Sequence, residues 1–252
     1  SVTVADMRAH VAPEITALVA DTGISVLTGY GVLEAKGGKR VTKAVLVPLD
    51  QNGCANGPHK SLPADLIAVS GGWSPCVHLW SQRYGKPVFD QASAGFVPEE
   101  NPNCTMQPAG TAAAARSLQE TISQGFERGV EAARATGATG DKGEAPATFA
   151  TGPFWQANLS PLWATFDAKG KCQGKAFVDF QHDVKVSDID QAHLEGYVSV
   201  EHLKRYTTLG MATDQGKLAN INALSRMADL SGKSIPEVGT TTFRPPFTPV
   251  SM

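Results

Sequence analysis

Residues 137–152 (GATGDKGEAPATFATG) divide the chain more sharply than any other stretch. They are rich in Gly, Ala, Thr and Pro and carry neither the period-2 nor the period-3.6 apolar spacing of a strand or helix. Strand-like apolar runs dominate before this break, and helical spacing dominates after it. The pattern predicts an α/β unit over 1–136, a linker and extended aromatic segment over 137–174, a helical module over 175–232 and a second linker over 233–252. A chain of 252 residues is long enough to give two such units real cores.

Within the first unit, Pro13 opens a helix over 12–22 and Gly23 lies past its end, with Ile15, Leu18 and Val19 on one face. Residues 23–28 follow as a strand, as in a β-α-β unit, and Val41, Val45, Leu46 and Val47 mark a second strand. The polar run 50–61 reads as a loop. Leu62–Ser70, ending in Gly71-Gly72, reads as a buried strand whose end approaches something closely. Ser74 and Pro75 start a short helix through Trp80, Lys86–Asp90 adds a strand, and a long helix is expected from about Ala112 to Ala135. A strand feeding that helix through Ala109-Gly110-Thr111 is a way to present backbone amides and a helix N-terminus to a phosphate. Close helix–strand packing explains the same glycine.

In the second half, Ser187 stands before Asp188-Ile189-Asp190 as a Ser-x-x-Asp helix start, and Gly196 ends that helix. Ser199 starts another, with Val200, Leu203 and Tyr206 as its apolar stripe and Gly210 as its stop. A last helix is expected near Asp214–Leu230, carrying Leu218, Ile221, Leu224 and Met227.

The wording of this half is distinctive. Val178-Asp-Phe-Gln-x-Asp-Val184, Glu201-His-Leu-Lys-Arg-Tyr-Thr-Thr-Leu-Gly-Met-Ala-Thr-Asp-Gln-Gly-Lys217 and the closing Gly239–Val250 run (GTTTFRPPFTPV) resemble the alpha subunit of heterotetrameric sarcosine oxidase. The likeness extends, more weakly, over the rest of the chain. It implies that residues 1–136 are the later part of an FAD/NAD(P)-binding domain of the flavoprotein-reductase type. Residues 62–75 resemble the segment that closes the nicotinamide-nucleotide domain there. It also implies NAD binding through Ala109, Gly110, Thr111, Ala114 and Arg116, although Ala113 and Ala114 depart from the family's Ala-Gly-x-x-Asn-Gly. In that family FMN lies between the alpha and beta subunits, FAD sits in the beta subunit, and gamma and delta subunits complete the complex. The products are glycine, hydrogen peroxide and, with tetrahydrofolate, its methylene adduct, and the folate domain would follow Met252. A chain that starts at Ser1 and stops after Arg-Pro-Pro-Phe-Thr-Pro-Val reads as a piece of a longer polypeptide, inactive alone and weak or silent toward NAD.

Residues 175–230 are also similar to the bacterioferritin-associated ferredoxin module. The four cluster-ligand positions fall on Asp179, Gln181, Asp214 and Ala219. Iron–sulfur clusters need thiolates, so the resemblance implies a scaffold without a cluster. An electron-transfer module of an amine or opine dehydrogenase is the alternative, and a purely structural domain is a third.

Composition narrows the field. A net charge of −2 gives no reason for a nucleic-acid or anionic-membrane partner. No apolar run approaches the roughly 18 residues of a membrane span and no signal peptide is visible, while four scattered free cysteines fit a reducing cytoplasm. Cys54, Cys76, Cys104 and Cys172 match no zinc, redox or haem spacing, and the six histidines match no metal motif. There is no Gly-x-Gly-x-x-Gly loop and no Gly-x-Ser-x-Gly elbow. Lys204, Arg205 and Arg244 make a basic face, either solvated or turned to an anionic cofactor. The aromatic run Phe154, Trp155, Leu162, Trp163 and Phe166 suits packing against a neighbouring domain or stacking on a ligand.

Overall fold

The computed structural model describes residues 1–99, 104–140, 159 and 161–245. Strands β1 (Thr3–Asp6) and β2 (Ser25–Thr28) pair in parallel across helix α1 (Pro13–Val19), with Pro13 in its first turn. Helix α1 and strand β2 match the expected helix and strand, and β1, which the sequence pattern does not predict, completes a β-α-β unit. Among the described residues, however, no other strands pair in parallel, and the one further parallel contact is an isolated bridge between Cys54 and Phe166. Strands β3 (Tyr30–Gly37), β4 (Val41–Pro48) and β5 (Lys60–Pro63) form an antiparallel sheet with β4 in the middle. Ala44–Val47 of β4 are buried in succession, as in a strand covered on both faces. Helix α2 (His78–Tyr84) leads into a short hairpin of β6 (Val88–Asp90) and β7 (Gly95–Val97), held by an edge-on contact of Phe89 and Phe96 at 5.3 Å.

Two expectations fail here for identifiable reasons. The strand expected over Leu62–Gly72 stops at Pro63, because β5 runs off the end of β4: Ala64 donates to Thr42 O, and β4 begins at Val41. Beyond that point Leu66, Val69 and Trp73 are 77%, 86% and 96% exposed. The long helix starts not at Ala112 but at Leu118 (α3, Leu118–Ala135). Gly110–Ala113 instead form one 3-10 turn, closed by Ala114 in the left-handed region at φ 60°. The helix start is fixed by a capping box. Ser117 Oγ accepts from Glu120 N, while the Glu120 carboxylate accepts from Ser117 N and Arg116 N. Residues 104–109, which lead into the turn, form no strand, and α3 has no fully buried residue.

The second unit comprises β8 (Phe177–Asp179), β9 (Val184–Lys185), α4 (Val186–Leu194), α5 (Val200–Thr207), α6 (Asn220–Ser231) and α7 (Ile235–Val238). Its core gathers Val178, Val184, Ile189, Leu203, Leu209, Ala223 and Met227 from every layer of the module. Each large apolar side chain buried there contributes about 1.5–3 kcal/mol. Helix α4 begins one residue before Ser187: the Asp188 carboxylate accepts from Lys185 N at 2.9 Å, so the acid caps and the serine lies inside. Helix α6 begins at Asn220 rather than Asp214, since 214–219 coil through Gly216 at φ 75°; Leu218 is thereby left 70% exposed.

Phe166 joins the two units. Its carbonyl accepts from Ala55 N, and Arg226 of α6 lies over its ring at 5.3 Å while holding Asp190 of α4 in a two-pronged ion pair at 2.7 and 2.9 Å. Phe154 and Trp155, and most of the 137–152 run, lie outside the described residues.

Candidate functional site

The turn proposed for a phosphate is packed against its own helix. Gly110 is buried at φ +67°, where glycine alone is relaxed, and a Cβ there would lie 3.1 Å from Thr121 Cγ2. Its N–H donates to Gln124 Oε1 at 2.9 Å. Ala114 N donates to the carbonyls of Gly110 and Thr111, Ala115 N donates to Gly110 O, and Arg116 N donates to the Glu120 carboxylate. Ala109, Gly110, Thr111, Ala114 and Arg116 are thus brought together, but with much of their backbone already engaged. The Glu120 carboxylate also occupies the positive end of α3.

The four positions set against cluster ligands by the ferredoxin resemblance, Asp179, Gln181, Asp214 and Ala219, behave differently from one another. Asp179, only 2% exposed, accepts from the amides of Gln181 (2.9 Å), His182 (3.3 Å) and Gly210 (2.8 Å). Gln181 Oε1 accepts from Thr213 Oγ1 and Asp214 N, and Asp214 in turn accepts from the amides of Gly216 and Leu218. Ala219 is buried just ahead of α6 and offers no donor atom. Oxygen acceptors at three of these positions therefore hold the loop with hydrogen bonds. Among the described residues no group of three or more His, Cys, Asp and Glu could hold a metal ion.

A third feature was not singled out in the sequence. His78 of α2, 4% exposed, reaches across to the module and donates from Nε2 to Gln215 O at 3.1 Å, with its ring 3.9 Å from that of Phe243. Burial holds its pKa below the ordinary 6.5; the charges of Lys217 and Lys204 push the same way, while the Gln215 carbonyl and Asp214 oppose them. A histidine whose folded pKa is depressed binds fewer protons folded than unfolded, so stability is lost as pH falls below the unfolded value. Lowering the pH from about 6.5 toward the depressed folded value is expected to destabilise the chain. His78→Gln should flatten that slope when urea midpoints are compared across pH; an unchanged slope would show that other groups cause it. No spacing rule marked His78, because its partners lie more than 130 positions away.

Comparison with known proteins follows this geometry. A sarcosine oxidase A3 domain profile matches residues 173–252. A solved L-proline dehydrogenase from P. horikoshii shares the fold, with a TM-score of 0.65 at 18% identity, covering 100% of this chain and 49% of that one. The architecture is thus a mixed α/β unit followed by a small helical module, as found in part of that dehydrogenase. In sequence the chain is more specific. It is 36% identical over 99% of its length to the sarcosine oxidase alpha subunit of Corynebacterium sp. strain U-96, and 40% identical over 77% to that of Rhizobium meliloti. The chain belongs with the alpha subunits of sarcosine oxidase, and spans 26% and 19% of the length of these two relatives.

Proposed function

We propose that this chain is the part of a sarcosine oxidase alpha subunit that contributes NAD binding and subunit scaffolding, rather than the oxidation step. Likeness to such subunits along nearly the whole chain carries this reading. On it, the complete enzyme is a cytoplasmic oxidoreductase acting on a CH–NH bond. It would convert sarcosine, oxygen and tetrahydrofolate to glycine, hydrogen peroxide and methylenetetrahydrofolate. Beta, gamma and delta subunits would be its partners, with FAD in the beta subunit, FMN at the alpha–beta interface and folate on a downstream domain.

NAD would lie against Ala109, Gly110, Thr111, Ala114 and Arg116. Because several amides of that turn are engaged internally, the Thr111 hydroxyl and the Arg116 guanidinium are the groups assigned to the pyrophosphate. Calorimetry with NAD on this chain, beside the full-length subunit, tests the assignment. Weak or no binding to the chain and stoichiometric binding to the subunit are expected, with Arg116→Gln lowering affinity about tenfold in the latter. Gly110→Val is a poorer probe, since a branched residue at φ +67° and 3.1 Å from Thr121 would disturb the turn itself. Full NAD retention by Arg116→Gln together with Thr111→Val would reject this turn as the cofactor site. The electron-transfer alternative finds less support, because Asp179, Gln181 and Asp214 are committed to hydrogen bonds within the loop.

A further inference from the structure

We infer that residues 65–73 are an interaction surface, a strand waiting for a sheet, and that the sheet belongs to the part of the alpha subunit outside these 252 residues. The inference rests on reading the chain as part of such a subunit.

Three observations converge on it. The first is the backbone. Strand β5 stops pairing at Pro63, and Ala64 N makes the last contact with β4 by donating to Thr42 O. Residues 66–77 form no helix or strand. Among the described residues, no hydrogen bond reaches the backbone of 65–73. A row of open N–H and C=O groups on an apolar run is a template for pairing with another strand.

The second observation is the side chains. Leu66, Val69 and Trp73 are all more than three-quarters exposed, at 77%, 86% and 96%. Successive side chains of a strand alternate, so Leu66 and Val69, three positions apart, would face opposite sides. The unbroken run Leu66-Ile67-Ala68-Val69 therefore suits a strand covered on both faces, not an edge with one wet side. From Leu66 to Trp73 there is neither a charge nor a proline, the devices that keep a free edge from pairing.

The third observation is a shortage of core in the same unit. Among the largest side chains less than 2% exposed, Val47 alone belongs to residues 1–136, and the rest lie between Val184 and Thr241. Helix α3 repeats the shortage. Its apolar residues Leu118, Ile122, Phe126 and Val130 recur at helical spacing, yet Leu118 is exposed and the other three are only half-buried.

The occupant follows from length and linkage. The chain spans 26% of the Corynebacterium sp. strain U-96 alpha subunit, so most of such a subunit is there to supply a sheet. Covalent linkage holds that remainder at high effective concentration. A separate subunit or a second copy would instead have to find an uncharged apolar row that the free chain offers to every other surface.

Hydrogen exchange on peptides covering 65–73, in the 252-residue chain and in the full-length alpha subunit, tests the inference. Fast exchange is expected in the chain, and exchange at least about a hundredfold slower in the subunit. Val69→Asp should leave the urea midpoint of the chain unchanged and lower that of the subunit, while Val69→Ile is tolerated in both. Equally fast exchange in the subunit, or a Val69→Asp effect of the same size in both proteins, would overturn the inference. So would protection that rises with the concentration of the chain, which would make a second copy the occupant, or protection that appears only when other subunits are added. Absence of NAD binding in a subunit that still protects 65–73 would reject the 109–116 assignment alone.

Discussion

Asp179→Ala is expected to unfold the helical module, or to lower its stability by about 3–5 kcal/mol. The carboxylate is 2% exposed and accepts three backbone amides, those of Gln181, His182 and Gly210. Alanine removes every acceptor at once. A buried donor left without a partner costs about 1–3 kcal/mol, and the Gly210 amide is buried while the other two are partly so. Against a total stability of about 5–15 kcal/mol for a domain, that loss is decisive. Asp179→Asn retains one acceptor oxygen and should cost roughly half as much. Urea unfolding followed by far-UV circular dichroism measures both. An Asp179→Ala variant within about 0.5 kcal/mol of the parent would mean that water can replace the carboxylate, and the site would then be far less closed than its burial indicates.

How much could be read from the sequence depended on how local the determining interaction was. Helix α1 and strand β2 were legible because Pro13 and the apolar spacing around it act within a few residues, whereas β1 had no such local signal. Helices α4 and α5 were legible for the same reason, since Gly196 adopts φ 91° and closes the turn between them. The start of α3 was not, although its signal was present: Ser117 and Glu120 form a capping box that outweighed the high helix propensity of Ala112–Ala115. The strand expected after Pro63 fails for a non-local reason. An apolar run becomes a strand only where a partner remains to be paired, and β4 ends there.

The candidate sites divide along the same line. The loop around Asp179, Gln181 and Asp214 could be picked out in the sequence, but the roles of those positions could not. That Asp179 serves Gly210, and Gln181 serves Asp214, depends on contacts across some 30 positions. The contact between α2 and the start of α6 was legible only as scattered residues, since His78, Gln215 and Asn220 have no sequence pattern joining them. Folding brings them together because α2 lies against the 214–220 loop through the His78–Gln215 hydrogen bond.

Gly216→Ala is expected to destabilise the same module by about 3–4 kcal/mol, and Gly196→Ala by only about 1–2 kcal/mol. Both glycines lie at positive φ, 75° and 91°, so both substitutions carry the cost of a left-handed residue. They differ in what the new methyl meets. At Gly196 nothing lies within 4 Å, whereas at Gly216 the Cβ would sit 2.4 Å from Asn220 Oδ1 and 2.6 Å from its Nδ2. No rotamer shift of a side chain only 6% exposed relieves that overlap without breaking the Asn220–Thr241 hydrogen bond. A Cβ at Gly210 would lie 2.5 Å from the same oxygen, so Asn220 packs against two backbone positions that both favour glycine. The coupling should be visible in a double-mutant cycle. Asn220→Ala removes the obstacle, so Gly216→Ala should cost about 1–2 kcal/mol less in that background than in the parent. Additive effects, or equal costs at Gly196 and Gly216, would show that the loop yields to accommodate the methyl, and the packing of Asn220 would not be what holds it in place.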